Sequence, residues 1–162
     1  MEGRRHPLTG LRVLEMGSRV AAPYVGKLFA DAGADVCKVE SPAGDPFRRW
    51  SASGATIPAG EDAAWFRFLN GGKRSVVVDL GAEDGRDELL VLVAGVDLVL
   101  DDHDPADARA FGITADDLRA VNPAVVVATL TPFGTTGPWA DRPANDFVLQ
   151  GLVGSTEVRG VP

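Results

Sequence analysis

The sequence predicts an α/β fold, a doubly wound and mostly parallel Rossmann-like sheet. Three observations predict it. Short runs rich in Val and Leu recur without the strict alternation of a half-exposed strand, as suits parallel strands covered on both faces. Segments with apolar residues at helical spacing lie between them. Glycine and proline punctuate the changeovers from one type to the other.

The first strand is read at residues 11–17, LRVLEMG, and ends in glycine. PYVGKLFADAG (23–33) follows as a helix: Pro23 suits its first turn, Gly33 its stop, and Val25, Leu28, Phe29 and Ala32 share one face. ADVCKVE (34–40) is the second strand, and the SPAGDP after it is a loop by composition. Strand, helix and strand in so short a span make a βαβ unit with parallel strands. The theme recurs with a strand at 74–80, a helix at 83–95 stopped by Gly95, and a strand at 96–102. A short helix at 114–123 has Thr114 as N-cap and Pro123 just past its end. AVVVATL (124–130) is the last strand. A glycine- and proline-rich loop then leads to a helix opening at 146, with Asp146 as its N-cap, and TEVRGVP adds no further element. Neither a repeat nor a low-complexity segment interrupts this order.

The 162 residues suit one domain, 1–162, with 45% hydrophobic and 24% charged residues. A net charge of −7, from 23 acids against 16 bases, disfavours nucleic acid as a partner. A small anionic ligand is still allowed, because local cations and backbone N–H groups hold such ligands. No apolar run is long enough to span a membrane, and the basic N-terminus is not followed by the apolar stretch of a signal peptide. The cytoplasm is therefore the expected compartment. Cys37, the one cysteine, can form no internal disulfide and reads as an inert core thiol.

In doubly wound sheets, ligands bind beyond the carboxyl ends of the strands. GSRVAAP (17–23) is a turn of that kind: Arg19 projects from it, Ala21 and Ala22 allow close approach, and the next helix offers unpaired N–H groups. It carries no G-x-G-x-x-G, so a dinucleotide fingerprint is absent, and a plain turn is the competing reading. In FLNGGKRSVVVDL (68–80), Gly71 and Gly72 set Lys73 and Arg74 at the entry of a strand. They are either solvated charges or holders of an anion, and pattern alone leaves both open. DDHDP (101–105) puts His103 among carboxylates, either as a general base of raised pKa or as a loop histidine without a task. With no second His or Cys in sight, no metal site is expected there. Trp50, Trp65 and Trp139 read as packing residues, and the GTTG at 134–137 lacks the P-loop lysine.

Taken together, PLTGLRVLEMGSRVAAPYVGKLFADAGADVCKVESPAGDPFRRW, FLNGGKRSVVVDL and FGITADDLRAVNPAVVVATLTPFGTTGPWADRPANDFVLQGLVGS closely resemble the family III CoA-transferases, the CaiB/BaiF group. That group includes formyl-CoA transferase, carnitine CoA-transferase and α-methylacyl-CoA racemase. The resemblance covers nearly the whole chain, its blocks standing in the family's order. It implies that this is the N-terminal, CoA-binding α/β portion of such a protein, acting without a metal on acyl-CoA and a carboxylate. It assigns coenzyme A contacts to the turn of Arg19, Val20 and Ala21 and to the loop of Leu69, Asn70, Lys73 and Arg74. It places the adenine near Glu40 and Pro42. Arg19, Lys73 and Arg74 are accordingly expected on a common rim, cations suited to the phosphates of the ligand.

Three departures accompany the resemblance. Asp102 and His103 stand where the family's ENFRPG-like block helps to hold CoA, and an added carboxylate there would repel phosphate. Asn145 stands where the racemases have a catalytic His, and an amide cannot take up an α-proton, so racemase chemistry is not expected. The transferases use an Asp nucleophile in a glycine-flanked GD block, which attacks the thioester and forms a mixed anhydride. No such block lies between Asp146 and Pro162, nor does the family's second, smaller domain. The chain on its own is thus expected not to turn over. The family's homodimer, or a complementary chain, would supply the rest. The alternative is a degenerate homologue that serves as an interaction subunit.

Overall fold

The computed structural model of the chain describes residues 6–155. Five strands, β1 (Arg12–Met16), β2 (Asp35–Glu40), β3 (Arg74–Val77), β4 (Leu98–Asp101) and β5 (Val126–Thr129), form one sheet in the order β3-β2-β1-β4-β5. Every pairing is parallel. The chain winds outward from β1 to β3, then returns past β1 to lay down β4 and β5. The winding reverses between β1 and β4, and the carboxyl ends of these two strands are where such a sheet opens a crevice. The helices among the described residues are α1 (Ala21–Asp31), α2 (Ala64–Asn70), α3 (Gly85–Val93), α4 (Pro105–Phe111), α5 (Ala115–Val121) and α6 (Asp146–Leu152).

Successive strand residues point to opposite faces, so the sheet divides the core in two. Leu14, Met16, Val39 and Val99 meet Leu89 and Val93 of α3, Ala108 of α4 and Leu118 of α5. On the other face Val13, Val36, Leu98 and Leu100 meet Ala22, with Val25, Phe29 and Ala30 of α1 beside them. Each fully buried Leu contributes roughly 1.5–3 kcal/mol relative to exposure. Both faces are covered, so the strands need no polar side.

Several local expectations need correction. Helix α1 begins before Pro23 and turns Ala22, Pro23 and Gly26 to the sheet, while Leu28 is exposed. Small residues let the helix lie close to the strands, and that closeness outranks the larger apolar side chains. Helix α2 and a 3-10 turn at Pro46–Arg48 were not anticipated. Nor was α4, although Pro105 at its first turn and Gly112 in the left-handed conformation past its end are ordinary start and stop signals. Thr114 does cap α5: its Oγ1 accepts from Asp117 N–H, and the Asp117 carboxylate accepts from Thr114 N–H. Helix α6 is capped by Asn145, whose Oδ1 accepts from Val148 N–H at 3.0 Å, and Asp146 is its first helical residue. The tryptophans pack as expected, Trp50 edge-on against Phe47, Trp139 edge-on against Phe133 and Trp65 stacked on Phe68, although Trp50 and Trp139 stay partly exposed. The tail read at 156–162 lies outside the described residues. No helix among the described residues is long and apolar enough to cross a membrane.

Candidate functional site

The carboxyl ends of β1 to β4 surround a cavity of about 390 Å³. Gly17 and Ser18 follow β1, Ser41 and Gly44 follow β2, Asp79 and Leu80 follow β3, and His103 follows β4. Met16, Val39, Val78, Leu89 and Phe111 supply apolar surface. Volume and lining suit part of a small organic ligand. A smaller cleft of about 130 Å³ lies toward α2, lined by Lys38, Arg48, Asn70, Lys73 and Arg74 among others. Glu40 borders both spaces.

Beneath these spaces lies a buried charge network. Glu15 and Lys38 are register partners on β1 and β2, and both are almost wholly inaccessible. Lys38 Nζ lies 3.0 Å from Glu15 Oε1 and 2.8 Å from Asp45 Oδ2. It also donates to the Gly17 carbonyl at 3.3 Å. Lys73 Nζ donates to Glu15 Oε2 at 2.5 Å, to Pro23 O at 2.8 Å and to Asn70 Oδ1 at 3.0 Å. Two ammonium groups thus face two carboxylates, and the ensemble is neutral. Burial acts to depress Lys38, but the charges of Glu15 and Asp45 outweigh it and hold the ammonium above its ordinary range. Burial prevails at Lys73 and lowers its pKa despite Glu15.

Glu40 is spoken for within the protein. Burial would raise its pKa, but the hydrogen bonds of Arg48, Ser75 and Asp45 N–H together lower it to about 2. Arg48 grips it with two donors at 2.7 Å each and holds Asp62 with its other nitrogen at 2.8 Å. The same guanidinium lies over Phe66, 4.0 Å from the ring centroid.

At the crevice, Asp102 occupies the start of α1. Its Oδ2 accepts from Ala22 N–H at 3.1 Å and its Oδ1 from Arg19 N–H at 3.4 Å. Burial raises its pKa against those two bonds. Asp101, buried at the end of β4, accepts from the backbone N–H of His103 at 3.0 Å and from its Nδ1 at 2.6 Å. Burial would lower the His103 pKa, but Asp101, Asp102 and Asp107 outweigh it and raise it. Cys37 has its thiol pushed up, chiefly by burial, which disfavours the thiolate.

Of the three cations expected on a common rim, Lys73 and Arg74 share the smaller cleft, and Arg19 is not among its lining residues. Arg19 projects from the turn after β1 and pairs with Asp104 among exposed side chains. Lys73 turns inward to Glu15, its charge already neutralised. Arg74 stands at the entry end of the sheet, paired with Asp35 at 2.7 Å. Val20 and Ala21 are exposed at the start of α1, Pro42 is exposed beside the cavity, Leu69 is buried, and Asn70 orients Lys73. Of the residues expected to meet a ligand, Glu40 and His103 line the larger cavity, with Asp102 close by, and Glu40, Asn70, Lys73 and Arg74 line the smaller cleft. Sequence reasoning missed Lys38, Asp45 and Arg48. A charged residue at the centre of each of two apolar neighbouring strands, Glu15 and Lys38, was the available signal. Among the described residues, no group of three or more His, Cys, Asp or Glu is placed to hold a metal ion.

Comparison with known proteins agrees with this architecture. The model of the CoA-transferase family III matches residues 8–162. A succinate–glutarate CoA-transferase of Agrobacterium fabrum is 37% identical over 165 aligned positions, which take in 100% of this chain and 41% of that protein. A probable fatty acyl-CoA transferase of Mycobacterium tuberculosis is 38% identical, covering 93% of this chain and 38% of that protein. The crystal structure of a CaiB/BaiF family protein from Brucella suis superposes with a TM-score of 0.88 at 38% identity, over 98% of this chain and 42% of that one. The chain spans about two fifths of the length of these relatives. With one match running through almost all of its residues and one fold shared with a solved relative, the chain belongs to the CoA-transferase family III.

Proposed function

We propose that the cavity over β1 to β4 receives part of coenzyme A or an acyl-CoA, and that the intact protein moves CoA from an acyl-CoA to a free carboxylate. The observation that carries this reading is the cavity itself. It opens at the winding reversal of the sheet, with both apolar and polar residues in its lining, in a chain matched by the family over 8–162. The chain spans about two fifths of the length of its relatives, so transfer is assigned to the intact protein, in which an aspartate would attack the thioester carbonyl, expel CoA as thiolate and form an anhydride. These residues would contribute binding and orientation.

A second reading is favoured by one observation. Asp102 already sits on the N–H groups at the start of α1, and Lys73 is spent on Glu15. A homologue that has lost CoA binding and serves as an interaction subunit would look like this. Calorimetric titration of the 162-residue chain with CoA separates the two. Saturable heat, with a matching rise in melting temperature, supports the CoA-binding reading. No heat and no thermal shift at millimolar CoA overturns it in favour of the degenerate homologue.

A further inference from the structure

We propose that His103, oriented by Asp101, is the phosphate contact of the cavity, so that a phosphate-bearing ligand binds with uptake of a proton by this imidazole. The inference rests on the reading that the cavity receives CoA, and it names how that ligand is held.

The first support is elimination within the lining. Glu40, Asp45 and Asp79 are its carboxylates, and it contains neither Lys nor Arg. Glu40 is neutralised by Arg48 and Asp45 by Lys38. His103 is the one lining group able to carry positive charge. The second support is that the other anion-holding device nearby is taken, since Asp102 accepts the N–H groups at the start of α1. A phosphate reaching this end of the sheet meets a carboxylate there and an imidazole at the cavity.

The third support is orientation. Asp101 binds both the backbone N–H and Nδ1 of His103, fixing ring and backbone together. Nε2 has no protein partner among the described residues. A neutral imidazole donating Nδ1–H to Asp101 can only accept at Nε2, and a phosphate oxygen offers it nothing. Protonation turns Nε2 into a donor, and a charge-assisted bond becomes available. The charged groups acting on the ring are Asp101 and Asp102 on its own segment and Asp107 from α4, and Asp79 from the loop after β3 lines the same cavity. Asp104 is occupied with Arg19 from the turn after β1. These carboxylates favour the imidazolium, and a bound phosphate adds to them in the same sense.

The test exploits the two histidines of the chain, His6 and His103. Imidazole resonances are assigned with His6→Gln and His103→Gln variants, then titrated from acid to alkaline pH with and without CoA, and again with pantetheine, which lacks phosphate. CoA is expected to raise the His103 midpoint by roughly one pH unit, equivalent to about tenfold tighter binding by the protonated form. Pantetheine should leave it in place, and His6 should not respond to either. CoA affinity measured calorimetrically should weaken as pH rises, and His103→Gln should flatten that slope. CoA binding with an unmoved His103 midpoint overturns this inference and leaves the cavity reading intact. Absence of CoA binding overturns both. Should His103→Gln fail to fold, the midpoint in the native chain decides.

Discussion

Substituting Gly26 by Ala sets two effects of opposite sign against each other. Gly26 is buried within α1 at an ordinary helical conformation, so helix propensity alone predicts a gain of about 1 kcal/mol. The structure predicts a loss. A Cβ there would collide with Glu15 Oε2 and would stand 3.1 Å from Glu15 Cδ and 3.2 Å from Lys73 Nζ. The end of a glutamate is usually free to swing aside. Here Glu15 has no solvent exposure, and its two oxygens are held by Lys38 and Lys73. Moving the carboxylate separates it from a buried ammonium, and breaking such a pair costs about 3–5 kcal/mol. If the pair is only strained, overpacking still costs about 1–3 kcal/mol. Subtracting the propensity gain from the broken-pair case leaves a net loss of roughly 2–4 kcal/mol. For a chain of this size that is a fall in melting temperature of roughly 5–15 °C. Urea unfolding monitored by circular dichroism gives the free energy, with a lower midpoint at unchanged slope as the expected signature. In a Lys73→Met background the penalty should shrink, because one of the two partners of Glu15 is already gone. A Gly26→Ala protein more stable than the native chain would show that the Glu15 pocket is not closed as described.

Two further outcomes follow from the same geometry. Glu40 is held at about 2 against an ordinary 4.5, so its contribution to stability is complete above pH 4.5 and is lost as pH falls toward 2. The upper limit is about 3 kcal/mol, and solvent reaching Arg48, whose side chain is 30% exposed, reduces this to about 1–2 kcal/mol. Urea midpoints measured between pH 5 and pH 2 should show that loss, and Arg48→Met should remove most of it. An equal acid slope in the variant would assign it to other carboxylates. Gly17 has φ +98°, and a Cβ on it would strike the Asp102 carboxylate, 2.9 Å from Cγ. Gly54 has φ +72° with nothing within 4 Å, so Gly54→Ala measures backbone strain alone, about 1–2 kcal/mol. Gly17→Ala should cost more than Gly54→Ala in thermal unfolding. Equal losses would mean that Asp102 does not press against the turn.

Fold class was legible because parallel strands and amphipathic helices are local patterns. All five strands were visible as Val- and Leu-rich runs, but their order, with the return past β1, was not, because which strands pair is decided by tertiary packing. Helix α2 was not visible, because AWFRFLN is too short to establish a period. The site was less legible for a related reason. Lys73 and Arg74 are adjacent in sequence, yet one ends in the interior on Glu15, 58 residues away, and the other on Asp35 at the entry end of the sheet. What each cation does depends on which strand lies beside it, and that is decided by topology rather than by its neighbours in the chain.

The placement of Lys73 also explains why His103 becomes important. A lysine at the mouth of an open cleft could hold phosphate at any pH below its own titration. Buried against Glu15, with Lys38 and Asp45 completing a neutral set, it instead ties the loop before β3 to β1 and to the start of α1. Replacing buried ion pairs by apolar side chains often leaves stability unchanged, so the network need not exist for stability alone. Its geometric effect is definite. Lys38 reaches the Gly17 carbonyl and Asp45, so the loops after β1 and β2 that border the cavity are pinned to one point. With those charges internal and Asp102 on the helix start, the remaining positive charge at the cavity is the one Asp101 holds in place, and it comes and goes with a single proton.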